Sequence, residues 1–459
     1  MSMPALFPFL SLSPTRALWL KSVLIAAAVL VISLHWVNTR ISMLRVNEKE
    51  TKVIVLSGYY IYHGMATALK EGRVGQIDWA RFLQFDSAHD PLAEYKQLAP
   101  GVAPRWVNYY TLDIGYSFIV QIARMTFRSL PDNILRALAL QFWVDALLVV
   151  FVFYLFSHWN IWMGLLAAYL YASNAVFSVL VSFAFYYYWD IPLSFIVLGC
   201  LVFAHRQPDL SRGFLALMGF VLGCGVWLRG SWWPVALFIF AFAALTRSFR
   251  SKLLLPLMVF VLVSAPQVIR SSAVRGQLTL STRTVWHVAL VGLGYYPNPY
   301  GLKNNDGVIF ELTRKKYGIE FRSEDYYLHD QAAKKEFLSI WHDDPWFIIR
   351  SFEGRLKDSV LGETETSVLT YLFLSNRTYR LLCLLGLAAM IARGGEWRLL
   401  GLAAAGMYTT YVLVTCVFYF VGLAYDNVSE VALFVCFIGG VDCLRYGVTR
   451  LAARVPVRE

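Results

Sequence analysis

This 459-residue chain is built from long apolar segments that short polar stretches separate. A helix needs about 20 apolar residues to cross a bilayer, with roughly 17 to 25 as the usual range. Hydrophobic residues make up 58 % of the chain and charged residues 15 %, which excludes a disordered chain, a coiled coil and a disulfide scaffold. The sequence therefore predicts an all-α polytopic membrane protein with about 12 transmembrane helices, centred near residues 28, 120, 146, 167, 181, 197, 220, 239, 262, 386, 411 and 436.

The net charge of +11 is distributed unevenly. Two long polar segments, about 38–112 and 271–378, hold 9 Lys+Arg against 7 Asp+Glu and 13 against 13. The opposite short loops carry one basic residue, Arg229, whereas the N-terminal segment, the alternate loops and the tail carry 15. Such asymmetry follows the positive-inside rule, so the charge reports orientation and indicates no nucleic-acid partner. The 15 residues are Arg16, Lys21, Arg128, Arg136, Arg206, Arg212, Arg247, Arg250, Lys252, Arg393, Arg398, Arg445, Arg450, Arg454 and Arg458.

The same rule predicts the topology. Both termini are cytoplasmic and both long polar segments, named the first and second outer segments, face the periplasm of a bacterial inner membrane. We divide the chain into a transmembrane core at 1–270, which includes spans one to nine and the first outer loop 38–112, a second outer segment at 271–378, and C-terminal helices with a basic cytoplasmic tail at 379–459.

Two spans are irregular. The second contains Arg124, and the run 161–188 is too long for one regular span and is predicted to form two short helices that turn near Ser173–Asn174. The apolar stretch at 22–37 is followed by no small-residue cleavage pattern, so we expect an uncleaved first span.

Both outer segments contain predicted helices. The stretch at 57–72 has apolar residues at helical spacing, with Tyr59 and Tyr60 near one end, and is typical of a short helix in the membrane interface. The second outer segment predicts a helix at about 325–342 and an amphipathic stretch at 346–358.

Acidic residues gather where the predicted spans meet the outer face. Asp113 follows the aromatic pair Tyr109–Tyr110, and Asp190 follows a run of three tyrosines and a tryptophan. Because acids are expensive in membranes, one shared outer cavity explains this distribution better than chance does. The boundary acids are Glu48, Glu50, Asp113, Asp190, Asp426 and Glu430, and Asp145 lies near the middle of the third span.

Each acid also has a simpler interpretation. Glu48 and Glu50 alternate with lysines, as on a solvated helix face, and Asp113 is of the type preferred at a helix N-cap. Asp145 suits a structural hydrogen bond between helices better than catalysis. The aromatic run before Asp190 is also typical of an interfacial belt.

Three arginines lie at the same predicted boundary: Arg229 in "GVWLRGSWWP", and Arg270 and Arg275 in "APQVIRSSAVRG". Arginine can extend its charge to the headgroups from such a place, or it can bind phosphate with two hydrogen bonds. Together with the acids and aromatics, the arginines suit a lipid phosphate that carries a sugar.

Signatures of soluble enzymes are missing. The sequence has no GxxxxGK[ST] loop, no HExxH, no GxSxG and no dinucleotide-binding glycine pattern. His287, His329 and His342 are too scattered to indicate a metal site, and the six cysteines lie in or beside apolar segments without a CxxC pair. We therefore assign no metal.

In order along the chain, six stretches resemble the C-type (GT-C) membrane glycosyltransferases, in particular the branch of protein O-mannosyltransferases and aminoarabinose transferases. They are "YYIYHGMATALKEGR", "DIGYSFIVQIARMTF", the third-to-fourth span stretch that begins "ILRALALQFW", "GFLALMGFVLGCGVWLRGSWWPVALF", "APQVIRSSAVRGQLTLS" and "EFLSIWHDDPWFIIRSFEGRL". The resemblance covers about residues 17–360.

Two positions depart from the family pattern. The family has an acid immediately before the loop helix, where this chain has Leu56–Ser57, and an asparagine where this chain has Ser271. The acid of this chain is therefore sought at Glu48 or Glu50 instead.

The resemblance implies a GT-C-like fold and inverting transfer of a sugar from a polyprenyl phosphate to a hydroxyl of a glycan, lipid or protein. Such a site needs a base for the hydroxyl and cations for the phosphate. The predicted base is Glu50, Glu48 or Asp113, the phosphate ligands are Arg229, Arg270 and Arg275, and the sugar and lipid contacts are Tyr59, Tyr60, Tyr110 and Asp190.

Other functions stay open. A lipid-linked glycan polymerase or ligase would share the site, and a transporter or flippase of lipid-linked substrates would use a similar cavity. A transporter favours charges through the membrane and an internal repeat, whereas here charges gather at one face and no repeat is visible. A structural membrane subunit would leave the boundary acids unexplained.

Overall fold

The computed structural model describes residues 14–50, 54–86, 101–108, 113–280, 285–319, 326–361, 376–418 and 427–452. In these ranges the chain is helical apart from turns and a short antiparallel ribbon of β1 (Gln76–Asp78) and β2 (Trp106–Asn108), with Ile77 opposite Val107. The helices are α1 Pro14–Glu50, α2 Ile54–Lys70, α3 Trp79–Asp86, α4 Gly115–Thr126, α5 Ile134–Ser157, α6 Ile161–Ser173, α7 Ala175–Val181, α8 Asp190–Arg206, α9 Ser211–Leu228, α10 Trp232–Leu245, α11 Arg247–Arg250, α12 Leu254–Arg275, α13 Val285–Leu293, α14 Asp306–Tyr317, α15 Tyr326–Asp343, α16 Pro345–Leu361, α17 Asn376–Arg393, α18 Gly395–Phe418 and α19 Asn427–Ala452.

The described part contains seven helices that are long and apolar enough to cross a membrane, and the pair α6–α7 adds an eighth if it forms one span. This confirms an all-α polytopic membrane protein. The count of twelve spans is not confirmed, because α4 has 12 residues, α7 has 7 and α10 has 14. The seven are Leu18–Ser42, Ile134–Ser157, Tyr186–Arg206, Ser211–Leu228, Leu254–Ala273, Gly395–Val417 and Asn427–Thr449.

The predicted turn near Ser173–Asn174 is confirmed. The chain bends by 58° between α6 and α7, and the Asn174 side chain accepts a hydrogen bond from the Phe177 N–H at the start of α7. With seven residues, however, α7 is about 10 Å long, whereas the hydrocarbon core is about 30 Å thick. The segments centred near 167 and 181 are therefore not confirmed as two separate crossings.

The α4–α5 turn packs against α2, in the first outer segment. The Tyr59 hydroxyl of α2 donates to the Asn133 carbonyl at 2.7 Å, and Arg124 of α4 donates to Thr67 of α2 at 3.0 Å. The other end of α5 reaches the loop 158–160, at the opposite end of the bundle. Since α4 begins and ends on the side of α2, this short helix does not cross between the two ends of the bundle. The prediction that groups Arg128 and Arg136 with the cytoplasmic loops is therefore wrong, because both belong to this turn.

The other short basic loops do meet, at the end of the bundle opposite α2, named here the basic end. Arg206 bonds Glu396 at 2.7 Å and lies over the Trp159 ring at 4.3 Å. Lys252 donates to the Pro208 carbonyl at 3.2 Å, which joins two more loops. Loops 158–160, 207–210, 246–253 and 394 thus form one surface. The helix ends near α2 form the opposite surface, named the site end.

Helix α2 is more deeply packed than an interfacial helix. Its residues 59–66 are buried, and they share an apolar core with α4, the first turns of α5 and the segment 183–189. The predicted helix at 57–72 is confirmed as a helix, but it packs inside the protein because its tyrosines find aromatic partners there.

Candidate functional site

An ion pair between Asp190 and Arg229 is at the centre of the site end. The Arg229 Nη1 atom lies 3.2 Å from Asp190 Oδ2, and both side chains are fully buried. Asp190 begins α8 and Arg229 ends α9, so two helix ends of opposite direction bring the charges together. Arg229 therefore does not extend to the headgroups. The aromatic run before Asp190 is not a simple interfacial belt, since its Tyr186 and Tyr188 are buried.

Neutral hydrogen-bond donors complete this ion pair. Trp232 Nε1 donates to Asp190 Oδ1 at 2.6 Å, and Asn427 Nδ2 donates to Asp190 Oδ2 at 2.8 Å. The Tyr411 hydroxyl accepts from Arg229 at 2.6 Å and donates to the Asn427 side chain at 2.9 Å. Helices α8, α9, α10, α18 and α19 are therefore joined by one hydrogen-bond network, in which a buried charge is paired and saturated with donors.

Asp113 lies beside this network. Its carboxylate accepts hydrogen bonds from the Gly230 N–H and from Gln267 Nε2 of α12, both at 3.1 Å. The side chain does not cap α4, whose N-cap is Ile114 and has no side-chain hydrogen bond. The N-cap interpretation is thus wrong, and Asp113 instead holds the Arg229–Gly230 turn against α12.

Aromatic rings connect the ion pair to the first outer segment. Arg229 lies 5.9 Å from the Tyr186 ring centre and 5.4 Å from the Tyr187 ring centre. The Tyr62 ring contacts Tyr186 and, edge to face at 5.1 Å, Tyr116. The predicted contacts Tyr59 and Tyr60 are buried in this same aromatic core. Tyr59 and Tyr60 therefore support the core that holds Tyr62, Tyr116 and Tyr186 in place.

Arg270 ties the first outer segment to α12. Its Nη2 atom lies 3.4 Å from the Gly75 carbonyl oxygen in the turn before β1. Residues three apart in a helix share a face, so Gln267, which bonds Asp113, and Arg270 lie on neighbouring positions of α12. The structure thus brings a predicted acid and a predicted phosphate ligand to one helix face.

Several predicted site residues have no described side chain. Glu48 and Glu50 lie in the last turns of α1 and Arg275 in the last turn of α12, but only their backbone is described. Tyr110 and Asp426 lie outside the described residues.

The other acids noted in the sequence, Asp145 and Glu430, have structural partners. Asp145 is buried and lies 2.9 Å from Arg40 Nε, and it also accepts from Trp36 at 2.7 Å, which confirms its role as a link between helices. Glu430 accepts from Asn174 and from Tyr379, both at 3.2 Å. Glu430 therefore fastens α19 to the bend between α6 and α7.

A polar cluster holds α2 to the α4–α5 turn. His63 Nε2 lies 3.3 Å from Asp132, which also accepts from Arg124 at 2.7 Å. Burial lowers the pKa of His63 to about 4, although the Asp132 hydrogen bond raises it. Burial alone would raise the pKa of Asp132, but the hydrogen bonds from His63 and Arg124 hold it well below its usual value. At neutral pH the Asp132 carboxylate is therefore charged, and its hydrogen bonds hold the cluster in place.

The second outer segment holds two of the histidines together. His287 Nδ1 lies 2.8 Å from His329 Nε2, and the other ring nitrogens contact Asp306 at 2.9 Å and Thr313 at 2.8 Å. Burial lowers the pKa of His329 to about 3. Among the described residues no group of three metal-binding side chains occurs.

Sequence reasoning missed the amides and hydroxyls that hold the charged groups. Gln267, Asn427 and Tyr411 each bond an acid or an arginine of the site, yet amides and hydroxyls at span ends carry no distinctive signal in one sequence. Arg40 could have been found, because an arginine within the apolar first span requires a buried acid.

Comparison with solved structures finds similarity to an oligosaccharyltransferase from Archaeoglobus fulgidus. The structure of the oligosaccharyltransferase AglB in complex with an inhibitory peptide and a dolichol-phosphate matches with a TM-score of 0.49 and 15 % identity. The match covers 96 % of this chain and 53 % of that chain. The structure tethered to an acceptor peptide has a TM-score of 0.49 and 14 % identity, with 95 % and 51 % covered. This chain spans about half the length of the chains it matches. No family model and no curated protein matches the sequence.

Proposed function

We propose that the chain is a membrane glycosyltransferase of the GT-C type, which transfers a sugar from a polyprenyl phosphate to a hydroxyl acceptor with inversion. One observation carries the proposal: a single face of α12 brings together Asp113, through Gln267, and Arg270 at the site end. Such a transfer needs a carboxylate that accepts a proton and a guanidinium that stabilises a phosphate, and Asp113 and Arg270 supply these two groups at one end of the bundle. The six ordered sequence stretches support the same class.

A lipid-linked donor suits the position of these groups. They lie at the ends of apolar helices, where a lipid phosphate is held at membrane depth and its sugar can extend beyond the hydrocarbon. We place this end at the outer face of an inner membrane, with both termini on the other side. Most of the described short-loop basic residues lie at the basic end, which agrees with that orientation.

In the proposed reaction the acceptor hydroxyl gives its proton to a carboxylate and its oxygen forms a bond to the anomeric carbon. The bond from that carbon to the phosphate oxygen breaks, and the phosphate keeps the electron pair. Three carboxylates are candidates for this base. They are Asp113, whose side chain the structure describes, and Glu48 and Glu50. Arg270 and Arg275 hold the phosphate.

Arg229 has a different role in this proposal. Its charge is already bound to Asp190 and Tyr411, so it positions the turn that presents the Gly230 N–H to Asp113. We therefore treat Arg229 as a positioning residue. Asp190 is part of the same support, because its oxygens accept from three side chains.

The test is turnover with a panel of polyprenyl-phosphate sugars by the purified full chain. We expect Asp113→Asn, Glu48→Gln or Glu50→Gln to lower turnover by about 10² to 10⁴, the contribution of a general base. Arg270→Ala should weaken donor binding as well. Asp209→Asn and Arg398→Gln, both exposed at the basic end, are matched controls. Full activity in all three acid variants would contradict this site.

A carrier of lipid-linked substrates is the second candidate. The bend of 58° between α6 and α7 favours it, since interrupted helices line the substrate sites of many transporters. Donor binding and movement across vesicles without any glycosidic product would favour this function over transfer.

A further inference from the structure

A cleft separate from the candidate site opens between α17, α18 and α19. Its volume is about 180 Å³, and its walls are mainly apolar. The end of α16 lies over it at Val360, and Arg380, Leu384 and Leu387 of α17 line one wall.

Arg380 is the charged residue of the cleft. Its Nη1 atom is buried and has no hydrogen-bond partner, and the described residues provide it with no ion pair. The neighbouring Tyr379 is used elsewhere, since its hydroxyl donates to Glu430 at 3.2 Å. A guanidinium beside apolar walls, with no counter-charge among the described residues, is unfavourable, and an anion would relieve this.

The cleft is polar at one end and apolar along its length. Arg380 lies in the second turn of α17, near the site end, and Leu384 and Leu387 lie one and two turns further towards the middle of the bundle. The same face of α17 is open, because Leu381, Leu384 and Leu385 are 56 %, 61 % and 58 % exposed. A phospholipid in the leaflet at the site end has its headgroup and its acyl chains in the same order. Such a lipid can enter the cleft from the open face of α17.

We propose that the cleft binds an anionic phospholipid, with its phosphate against Arg380 and part of one acyl chain along Leu384 and Leu387. Charge complementarity selects the anionic headgroup, because the cleft offers one cation and, in the described structure, no acid among its lining residues. The lipid joins α17 to α18 and α19. It is a resident membrane lipid, distinct from the sugar donor.

The experiment is native mass spectrometry of the purified full chain, titrated with phosphatidylglycerol, phosphatidylcholine or a polyprenyl phosphate. We expect phosphatidylglycerol to bind more tightly than phosphatidylcholine. Arg380→Gln should weaken phosphatidylglycerol binding by about tenfold or more, because a charge-assisted contact is lost. Arg398→Gln, an exposed arginine at the basic end, should leave binding unchanged.

A second variant tests the apolar wall without changing charge. Leu384→Trp fills the cleft and should also reduce phosphatidylglycerol binding while the protein stays folded. Equal binding by wild type, Arg380→Gln and Leu384→Trp would overturn the proposal. Preference for the polyprenyl phosphate over phosphatidylglycerol at this cleft would overturn it too, because the occupant would then be the donor.

Discussion

Replacing one partner of the Asp190–Arg229 pair should destabilise the protein strongly. Arg229→Gln leaves the Asp190 carboxylate buried at 0 % exposure with only neutral donors, and Asp190→Asn leaves the Arg229 guanidinium in the same position. Removing one partner of a buried ion pair costs about 3–5 kcal/mol, because the other charge stays in a poor solvent. We expect a loss in this range for each single variant.

The double variant Asp190→Asn/Arg229→Gln should recover much of that loss. Both charges are then gone, and Trp232, Asn427 and Tyr411 still bond amide groups of similar size. The matched control is Arg206→Gln at the basic end, whose partner Glu396 is 28 % exposed. The Arg206 side chain is 11 % exposed, so this pair keeps more contact with solvent than the Asp190–Arg229 pair, and the control should cost less than either single variant.

The assay is unfolding in mixed micelles with increasing denaturing detergent, followed by tryptophan fluorescence. The wild type and the four variants are compared at one pH and one lipid composition. If each single variant loses no more free energy of unfolding than Arg206→Gln, the reasoning is refuted, because the pair is then hydrated in the native protein. Equal losses in the single and double variants would refute the ion-pair argument as well.

Three further predictions concern other parts of the chain. Gly75→Ala should speed proteolysis of the first outer segment, because Gly75 has φ +71° and a Cβ there would overlap the Arg270 guanidinium. Gly386→Val should lower the melting temperature in detergent by several degrees, since a Cβ would lie 2.2 Å from a backbone oxygen of α19, whereas Gly213→Val, in open space, should not. The contribution of His63 to stability should fall by about 3 kcal/mol as pH drops from 6.5 to 4, because unfolded His63 binds a proton over most of that range and folded His63 does not. In a titration of unfolding against pH, His63→Asn should remove this part of the slope and leave the part that buried His329 contributes.

Local patterns predicted the helices well. The helix predicted at 325–342 is observed at Tyr326–Asp343, and the break at Asn174 was visible because polar residues interrupt an apolar run there. The convergence of Asp113, Asp190 and Arg229 also followed from their shared position at span ends. The helix and the break each have a signal within a short stretch of sequence, whereas the convergence follows from the similar positions of three residues at separate span ends.

Long-range packing accounts for what the sequence did not predict. The apolar run around residue 120 has the composition of a span, but α4 is held at the site end by contacts of Arg124 with α2, more than fifty residues earlier. His287 and His329 form a pair although 42 residues separate them. Such contacts depend on tertiary structure, and spacing along the chain does not reveal them.

The bend at Asn174 has a consequence for how the chain is made. A helix break leaves backbone carbonyls without their usual partners, and Arg40 Nη1 of α1 donates to the Ala172 carbonyl at 3.0 Å. The Asn174 amide, on the other side of the bend, donates to Glu430 in the last helix. During synthesis the bend is therefore stabilised on one side by a helix that precedes it and on the other by a helix made about 250 residues later. A nascent chain that stops before α19 therefore lacks the hydrogen bond that the Asn174 amide donates to Glu430, and its bend is held from the α1 side alone among these two contacts.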